Sequence, residues 1–356
     1  MTSTRLPLPI RHITAPPSQW ALIHRSASES IRIPVIITSG RRSYHASLMI
    51  RGGHTRSCPK KSYELRIKDG HTFHWNAEYE DPSMIRNALS FHFFNQIGVP
   101  APKTRHCQLA VNGQPLGVYL EIEAVSPTFF ASRHIPCRAI LYAVTDQADF
   151  SYRASRGRAR SHLPGYELVA GGPAAVRRLD HFIRSINRLQ GPTLHNMLRK
   201  KLDIGNYLTW LAGAVLTGNY DGFEQNYALY EEARSGKYRI VPWDYEGTWG
   251  RNCFGKPCGS GLVSIRGYNK LTRKVLSIPA YRAAYRKLLR RLLRHPFNTV
   301  AISSVIERMY RTIRPSVRLD RTRPFSYHEF EKEPSFIRQY IRERRRIILY
   351  ELKRWL

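Results

Sequence analysis

Acid is what this chain has least of for its size. Lys and Arg number 57 against 26 Asp and Glu, a formal charge of +31, so a partner recruited by charge is anionic: phosphate groups, nucleic acid or an acidic surface. The excess runs along the whole chain, from Arg41-Arg42 through Arg177-Arg178 to Arg344-Arg345-Arg346. A dedicated nucleic-acid domain concentrates its charge on one element or tail, and no recognised module of that kind is present, so nucleic acid is not the expected partner. Long apolar runs are missing too. No stretch approaches the roughly 18 apolar residues of a membrane span, and the opening MTSTRLPLPIRHITAPPSQW has no apolar segment after a basic start. The expectation is a soluble, unexported protein with no membrane partner. Cysteine is sparse, with Cys58, Cys107, Cys137, Cys253 and Cys258 scattered and odd in number, which suits reduced thiols better than a disulfide framework. Cys253 and Cys258 alone are close, and one such pair without a second pair or a nearby His makes a poor zinc site. Both read as loop cysteines. Walker A, G-x-G-x-x-G, HRD and DFG motifs are all absent.

What is present is a globular composition. At 356 residues, 42% hydrophobic, with six Trp and twenty Tyr, the chain can bury one large core or two lobes sharing a cleft. Residues 1–30, rich in Pro and Ser and without sustained periodicity, read as an extended arm. Strands are expected at 31–37 and 44–51, the second running into the turn Gly52-Gly53, and at 60–67, where Lys61, Tyr63, Leu65 and Ile67 alternate with Lys60, Ser62, Glu64 and Arg66. Arg51, Gly52 and Gly53 followed by a strand lysine, Lys60 or Lys61, form one way to hold phosphates: backbone N–H groups approach closely and an ammonium supplies charge. A tight hairpin with solvated lysines explains the same residues.

DPSMIRNALSFHFFNQIGVP reads as a helix with Asp81 as N-cap, Pro82 at its first position, Ile85, Leu89, Phe93 and Ile97 as a core stripe and Gly98 as its stop. His92 beside that stripe reads as a packed or half-exposed histidine rather than a ligand. Asn112-Gly113 between apolar runs predicts a hairpin over 106–125, whose second strand carries Glu121 and Glu123. Residues 146–165 read as a polar, Arg-rich loop, and helices are expected at 176–189, 203–217, 281–294, 300–313 and 333–355. The Gly-rich residues 250–267 read as loop.

The chemistry concentrates in LAGAVLTGNYDGFEQNYALYEEARSGKYRIVPWDYEGTWG. Asp221 follows a buried helix, Asn226 stands five positions on at the start of a strand, and Asp244 ends the next strand. Phosphoryl transfer needs positioning, charge neutralisation by metal and an acceptor for a hydroxyl proton. Asp221 can accept the proton, while Asn226 and Asp244 offer Mg²⁺ the oxygens it prefers. A turn at Asp221-Gly222 and a cap at Asp244 would explain the same residues.

RGGHTRSCPKKSYEL, DPSMIRNALSFHFFNQIGVPAPK, NGQPLGVYLEIEAV, LAGAVLTGNYDGFEQNYALYE and YRIVPWDYEGTWGRNC, in that order, resemble the spore coat protein H kinase family from about residue 30 to the C-terminus. The resemblance implies an α+β, atypical bilobal protein-kinase-like fold that uses ATP and magnesium to phosphorylate serines of spore coat proteins. It implies a mostly β N-lobe over 31–125 with one helix, a mostly helical C-lobe over 126–356, and nucleotide between them. It makes Asp221 the catalytic aspartate, Asp244 and Asn226 the metal ligands, and Lys60 or Lys61 the phosphate-contacting lysine. The helix at 82–97 has no Glu to pair with that lysine, which leaves Glu64, Glu121 and Glu123 as candidates, Glu121 first. The implied partners are the Ser- and Lys-rich coat proteins B and G, in the mother-cell cytoplasm and then the spore coat. A non-catalytic scaffold that assembles the coat through its basic surface is the expectation from another class.

Overall fold

The computed structural model describes residues 8–152 and 163–355. Residues 153–162 of the loop expected at 146–165 lie outside the described residues. The chain divides into two compact units, Met1–Ala88 with Pro102–Ala124 and Ser303–Ser335, and Leu89–Ala101 with Val125–Ile302 and Phe336–Leu356. Both are discontinuous in sequence, where contiguous blocks were expected.

The first unit is built on seven strands: β1 (Ile10–Thr14), β2 (Arg32–Ser39), β3 (Arg42–Arg51), β4 (Ser62–Ile67), β5 (Thr72–Asn76), β6 (Thr104–Val111) and β7 (Gln114–Glu123). They close into a barrel in the order β1-β2-β3-β4-β5-β7-β6, with β1 parallel to β6 and every other pairing antiparallel. Closure follows from alternation. On β2, Ile33, Val35 and Ile37 point inward to meet Leu48, Ile50, Tyr63, Leu65 and Trp75 in one core, each buried aliphatic side chain contributing about 1.5–3 kcal/mol. The hairpin at Asn112-Gly113 forms with φ of 47° and 85°, both positive as a twist-matched two-residue turn requires.

Two expectations change here. The presumed arm holds β1 and a helix α1 (Pro17–Arg25). Its alternation is hidden in the sequence because Arg11 occupies an inward position beside Ile13, its guanidinium meeting Glu121 at 2.7 and 3.0 Å. The helix expected from Pro82 begins later, as α2 (Arg86–Gln96). Asp81 precedes it by five residues rather than one, yet still caps its first N–H. The buried Asp81 carboxylate accepts from the Ser83 N–H and hydroxyl and from the Arg86 N–H and guanidinium, and Met84 at φ 60° breaks the helical path between them. Arg86, fully buried, also reaches Glu333 at 2.7 Å.

The second unit contains α3 (Pro127–Ala131), β8 (Cys137–Ala143), β9 (Tyr166–Ala170), α4 (Pro173–Arg188), α5 (Gly191–Lys201), α6 (Ile204–Thr217), β10 (Tyr227–Glu232), β11 (Tyr238–Pro242), α7 (Lys270–Leu276) and α8 (Pro279–Arg294). Helices α9 (Thr299–Leu319) and α10 (Tyr327–Arg354) complete the chain. The expected mostly helical region therefore also carries a four-stranded antiparallel sheet, β11-β10-β8-β9. All six residues of β10 are buried, Glu231 and Glu232 included, so its period of two cannot be read. At the centre, α6 buries Tyr207, Leu208 and every residue from Trp210 to Thr217, the pattern of a helix surrounded by core rather than laid on it. Asp203 caps its start by accepting from the Asn206 N–H at 2.9 Å. Among the described residues no helix is long and apolar enough to cross a membrane.

Candidate active site

The loop after α6 is fixed by the way that helix ends. Gly218 takes the left-handed conformation at φ 74°, and both its N–H and that of Asn219 bond to the Ala214 carbonyl. The other last-turn carbonyls have partners: the buried Arg344 guanidinium donates to the Val215 carbonyl at 2.8 and 2.9 Å, the Tyr340 hydroxyl to Leu216 at 3.0 Å, and the Trp249 N–H to Thr217 at 2.8 Å. A Cβ at Gly218 would lie 2.3 Å from the Tyr340 hydroxyl, so glycine serves both the turn and the packing. Three residues later comes Asp221.

The hairpin β10–β11 brings the rest. Tyr227 is opposite Pro242, and the Trp243 N–H reaches the Asn226 carbonyl at 3.3 Å, so Asn226 and Asp244 flank the same open end. Both adopt positive φ, 59° and 57°, a region Asn and Asp enter more readily than other side-chain-bearing residues. Asp221 accepts from the Gln225 amide at 2.7 Å through Oδ1 and from the Asn226 amide at 2.8 Å through Oδ2. Asn219, buried, sends its amide to the Asp244 carbonyl at 3.5 Å. Gly222 allows this approach, since a Cβ there would lie 2.5 Å from the Asn219 amide nitrogen.

The oxygens left over are the chemically useful ones. With its NH₂ spent on Asp221, the Oδ1 of Asn226 accepts no hydrogen bond among the described residues, and neither does the half-buried Asp244 carboxylate. Asp244 is therefore not a cap. One free carboxylate and one free amide oxygen suit Mg²⁺, which binds through one or two carboxylates, waters and substrate phosphates rather than an all-protein cage. No group of three or more His, Cys, Asp and Glu forms such a cage among the described residues. The two aspartates also share a neighbour, Cys253, which the sequence marked only as a loop cysteine. Cys253 has its Sγ 3.0 Å from the Tyr220 hydroxyl, and burial raises its thiol pKa, with the Asp221 and Asp244 charges adding to the rise. Cys258 binds elsewhere, its N–H on the Gly250 carbonyl.

The candidate lysines belong to the first unit and separate clearly. Strand β4 begins at Ser62, so Lys60 lies outside the pleat and turns inward. It is 6% exposed, and its ammonium donates to the Val118 carbonyl at 2.7 Å and to Asp320 at 3.1 Å. Burial pushes its pKa down to about 8 against the pull of Asp320. Asp320 also accepts from the Val118 and Thr322 N–H groups. Burial opposes its charge, yet Lys60 and these donors hold its carboxyl below the ordinary aspartate range. Gly117, at φ 92°, makes room for it: a Cβ there would come within 2.6 Å of both carboxylate oxygens.

The partner of Lys60 is thus Asp320, not Glu121. Glu121 is held by Arg11 and by the Trp75 indole N–H at 2.9 Å, Glu64 by Arg32 and Arg66, and Glu123 by the Lys103 N–H. Lys61 is half-buried and donates to the Arg56 carbonyl at 2.7 Å. Arg51 donates to the Asn76 side chain at 2.6 Å. Gly52 and Gly53 form an exposed turn after β3, Gly52 at φ 113°.

An α+β protein with an acid, an amide and a second acid gathered at the end of a hairpin is equipped for metal-assisted phosphoryl chemistry. The chain belongs to the CotH kinase protein family, whose model matches residues 48–348. It is 34% identical over 345 residues to the inner spore coat protein H of Bacillus subtilis (strain 168), covering 95% of each chain. It is 27% identical over 321 residues to the inner spore coat protein H-like protein of the same organism, covering 90% of each. Two solved structures overlap more loosely. The proinflammatory kinase CtkA of Helicobacter pylori aligns at 9% identity and TM-score 0.38 over 82% of this chain and 94% of that one. The HipA–HipB–operator DNA complex of Shewanella oneidensis MR-1 aligns at 12% identity and TM-score 0.36, over 100% and 73%.

Proposed function

We propose that this protein is an atypical, bilobal protein kinase that uses ATP and Mg²⁺ to phosphorylate serines of spore coat proteins. The observation that carries the reading is the convergence of Asp221, Asn226 and Asp244 at one end of β10–β11, with the Asp244 carboxylate and the Asn226 oxygen left without partners among the described residues. Membership in a kinase family supports it.

In this reading Asp221 is oriented by the Gln225 and Asn226 amides to accept the proton of an incoming serine hydroxyl. Asn226 and Asp244 hold magnesium, which when bound neutralises phosphate charge. Lys60, kept in place by Asp320, is the lysine of the nucleotide site, and the turn Arg51-Gly52-Gly53 offers backbone donors nearby in sequence. Lys61 is the second candidate. The substrates are Ser- and Lys-rich coat proteins such as coat proteins B and G, met in the mother-cell cytoplasm, with the enzyme passing to the spore coat. The relatives named for the inner spore coat support that destination.

The test is incubation with γ-labelled ATP and magnesium, with and without a candidate coat protein. Label on serine that disappears in Asp221→Asn and Asp244→Ala supports the reading. The charge of +31 favours one other reading, a coat scaffold working through its basic surface, which predicts no turnover and unchanged assembly by the same two variants.

A further inference from the structure

We propose that a cavity at the opposite end of the β10–β11 hairpin is a docking site for a phosphorylated peptide segment, a phosphoserine at its rim with a neighbouring apolar side chain on its floor. The source of the phosphoserine rests on the kinase reading above; the site itself rests on geometry and charge.

The cavity encloses about 300 Å³ between α4, α5 and the hairpin turn. Its floor is apolar: Phe182 and Tyr238, both buried, lie with ring centroids 5.0 Å apart, and Met197 closes one side. Its rim is basic. Arg177, His181 and Lys201 line it and are exposed, and among the described residues the Arg177 and Lys201 side chains make no ion pair or hydrogen bond. Arg177 and His181 are four residues apart on α4 and so share a face.

The single acid of the lining, Glu231, is already committed. Arg178 grips its carboxylate through Nε and Nη2 at 2.7 to 3.1 Å, and Arg138 adds a contact at 3.3 Å. Arg177, Arg178 and Lys201 against Glu231 leave two uncompensated positive charges before His181 is counted. A phosphoserine carries about −1.5 to −2 and three acceptor oxygens, which this rim matches. Free phosphate would satisfy the rim and leave the floor in water, whereas a peptide satisfies both.

The position gives the docking a use. Glu231 and Tyr238 stand at the turn end of the hairpin and Asn226 at the end with the acidic cluster. Five strand residues at about 3.3 Å each place the two ends about 17 Å apart. An extended peptide held here presents a target serine no closer than about five residues from its phosphoserine. Modification of one serine would then favour a second at that spacing, through raised effective concentration.

The test is fluorescence anisotropy of a labelled Ser-Leu-containing peptide and its phosphoserine form, on wild type and on Asp221→Asn so that binding is read without turnover. The phosphorylated form is expected to bind at least tenfold more tightly to both proteins. That preference should be lost in Arg177→Ala/Lys201→Ala and in Ala174→Trp, an exposed cavity position where an indole plugs the space without touching the core. Inorganic phosphate should compete only weakly. Equal binding of the two peptides, retention of the preference in the variants, full displacement by phosphate at equal concentration, or tighter binding of single-stranded oligonucleotide lost in the same variants would each overturn the proposal. Label transfer to an unphosphorylated protein separates the two readings: transfer without phosphopeptide preference sinks the docking site alone, and preference without transfer sinks the kinase reading alone.

Discussion

The acidic cluster and the buried lysine are built on opposite terms. Asp221, Asn226 and Asp244 are half-exposed; the Gln225 and Asn226 amides hold Asp221, and among the described residues the Asn226 Oδ1 and the Asp244 carboxylate stay unspent. Lys60 is buried and spends its donors on Asp320 and a carbonyl. The first arrangement leaves reactivity available and contributes little to stability. The second binds two charges whose separation would leave one stranded in the interior, where it costs several kcal/mol. Substitutions in the two places should therefore fail differently, the acidic cluster in chemistry alone and Lys60 in folding as well as in transfer.

The largest expected effect is on chemistry alone. Asp221→Asn and Asp244→Ala should each lower label transfer by roughly 10³-fold or more while the thermal midpoint stays within about 2 °C, read by calorimetry beside the transfer assay; a large fall in midpoint would erase the contrast. Next, Lys60→Met should destabilise the protein by about 3–5 kcal/mol in urea unfolding, and Asp320→Leu added to it should recover part of that loss. Simple additivity of the two would show that they are not a pair. Asn226→Ala should weaken magnesium affinity roughly 10- to 100-fold, seen as a higher metal concentration for half-maximal transfer, with Asp221 losing the Asn226 amide donor.

A smaller effect reads the lysine by pH. With a folded pKa near 8 and an unfolded one near 10.4, the unfolded chain holds more protons than the folded one between those values, so this group makes stability rise with pH there. Buried tyrosines and Cys107, whose pKa values burial raises, act in the other direction, so the measurement is the difference between wild type and Lys60→Met across pH 8 to 10. The difference should widen as pH rises, because the wild-type amine sheds its buried charge. The smallest effect is Lys61→Ala, expected within about 0.5 kcal/mol and within about threefold in transfer.

The same contrast explains what could be read from the sequence. Asp221, Asn226 and Asp244 lie within one helix–loop–hairpin stretch, so their order along the chain became their arrangement in space. Gly218 and Asp203 marked the ends of α6 by ordinary capping chemistry, and Asn112-Gly113 marked its hairpin. Asp320 could not be found that way, because it is 260 residues from Lys60 and nothing local distinguishes an aspartate that will be buried. Arg11 hid β1 for a related reason, since a charged residue at an inward position erases the alternation that announces a strand. Strand β10, buried along its whole length, shows no period of two and was legible only as one of the two strands between Asn226 and Asp244, and β8 and β9 had no such flanking residues to mark them. The helix starts at Arg86 rather than Pro82 because Asp81 caps it from five residues away, across a buried loop that Met84 at φ 60° turns out of the helical path.

The central claim is that Asp221 accepts a serine proton in phosphate transfer from ATP. It is tested most directly by γ-labelled ATP and magnesium with a Ser-rich coat protein, comparing wild type and Asp221→Asn at matched stability. Serine-bound label in the wild type and its loss by at least about 10³-fold in the variant is the predicted result; equal labelling by both proteins, or none by either, would contradict it.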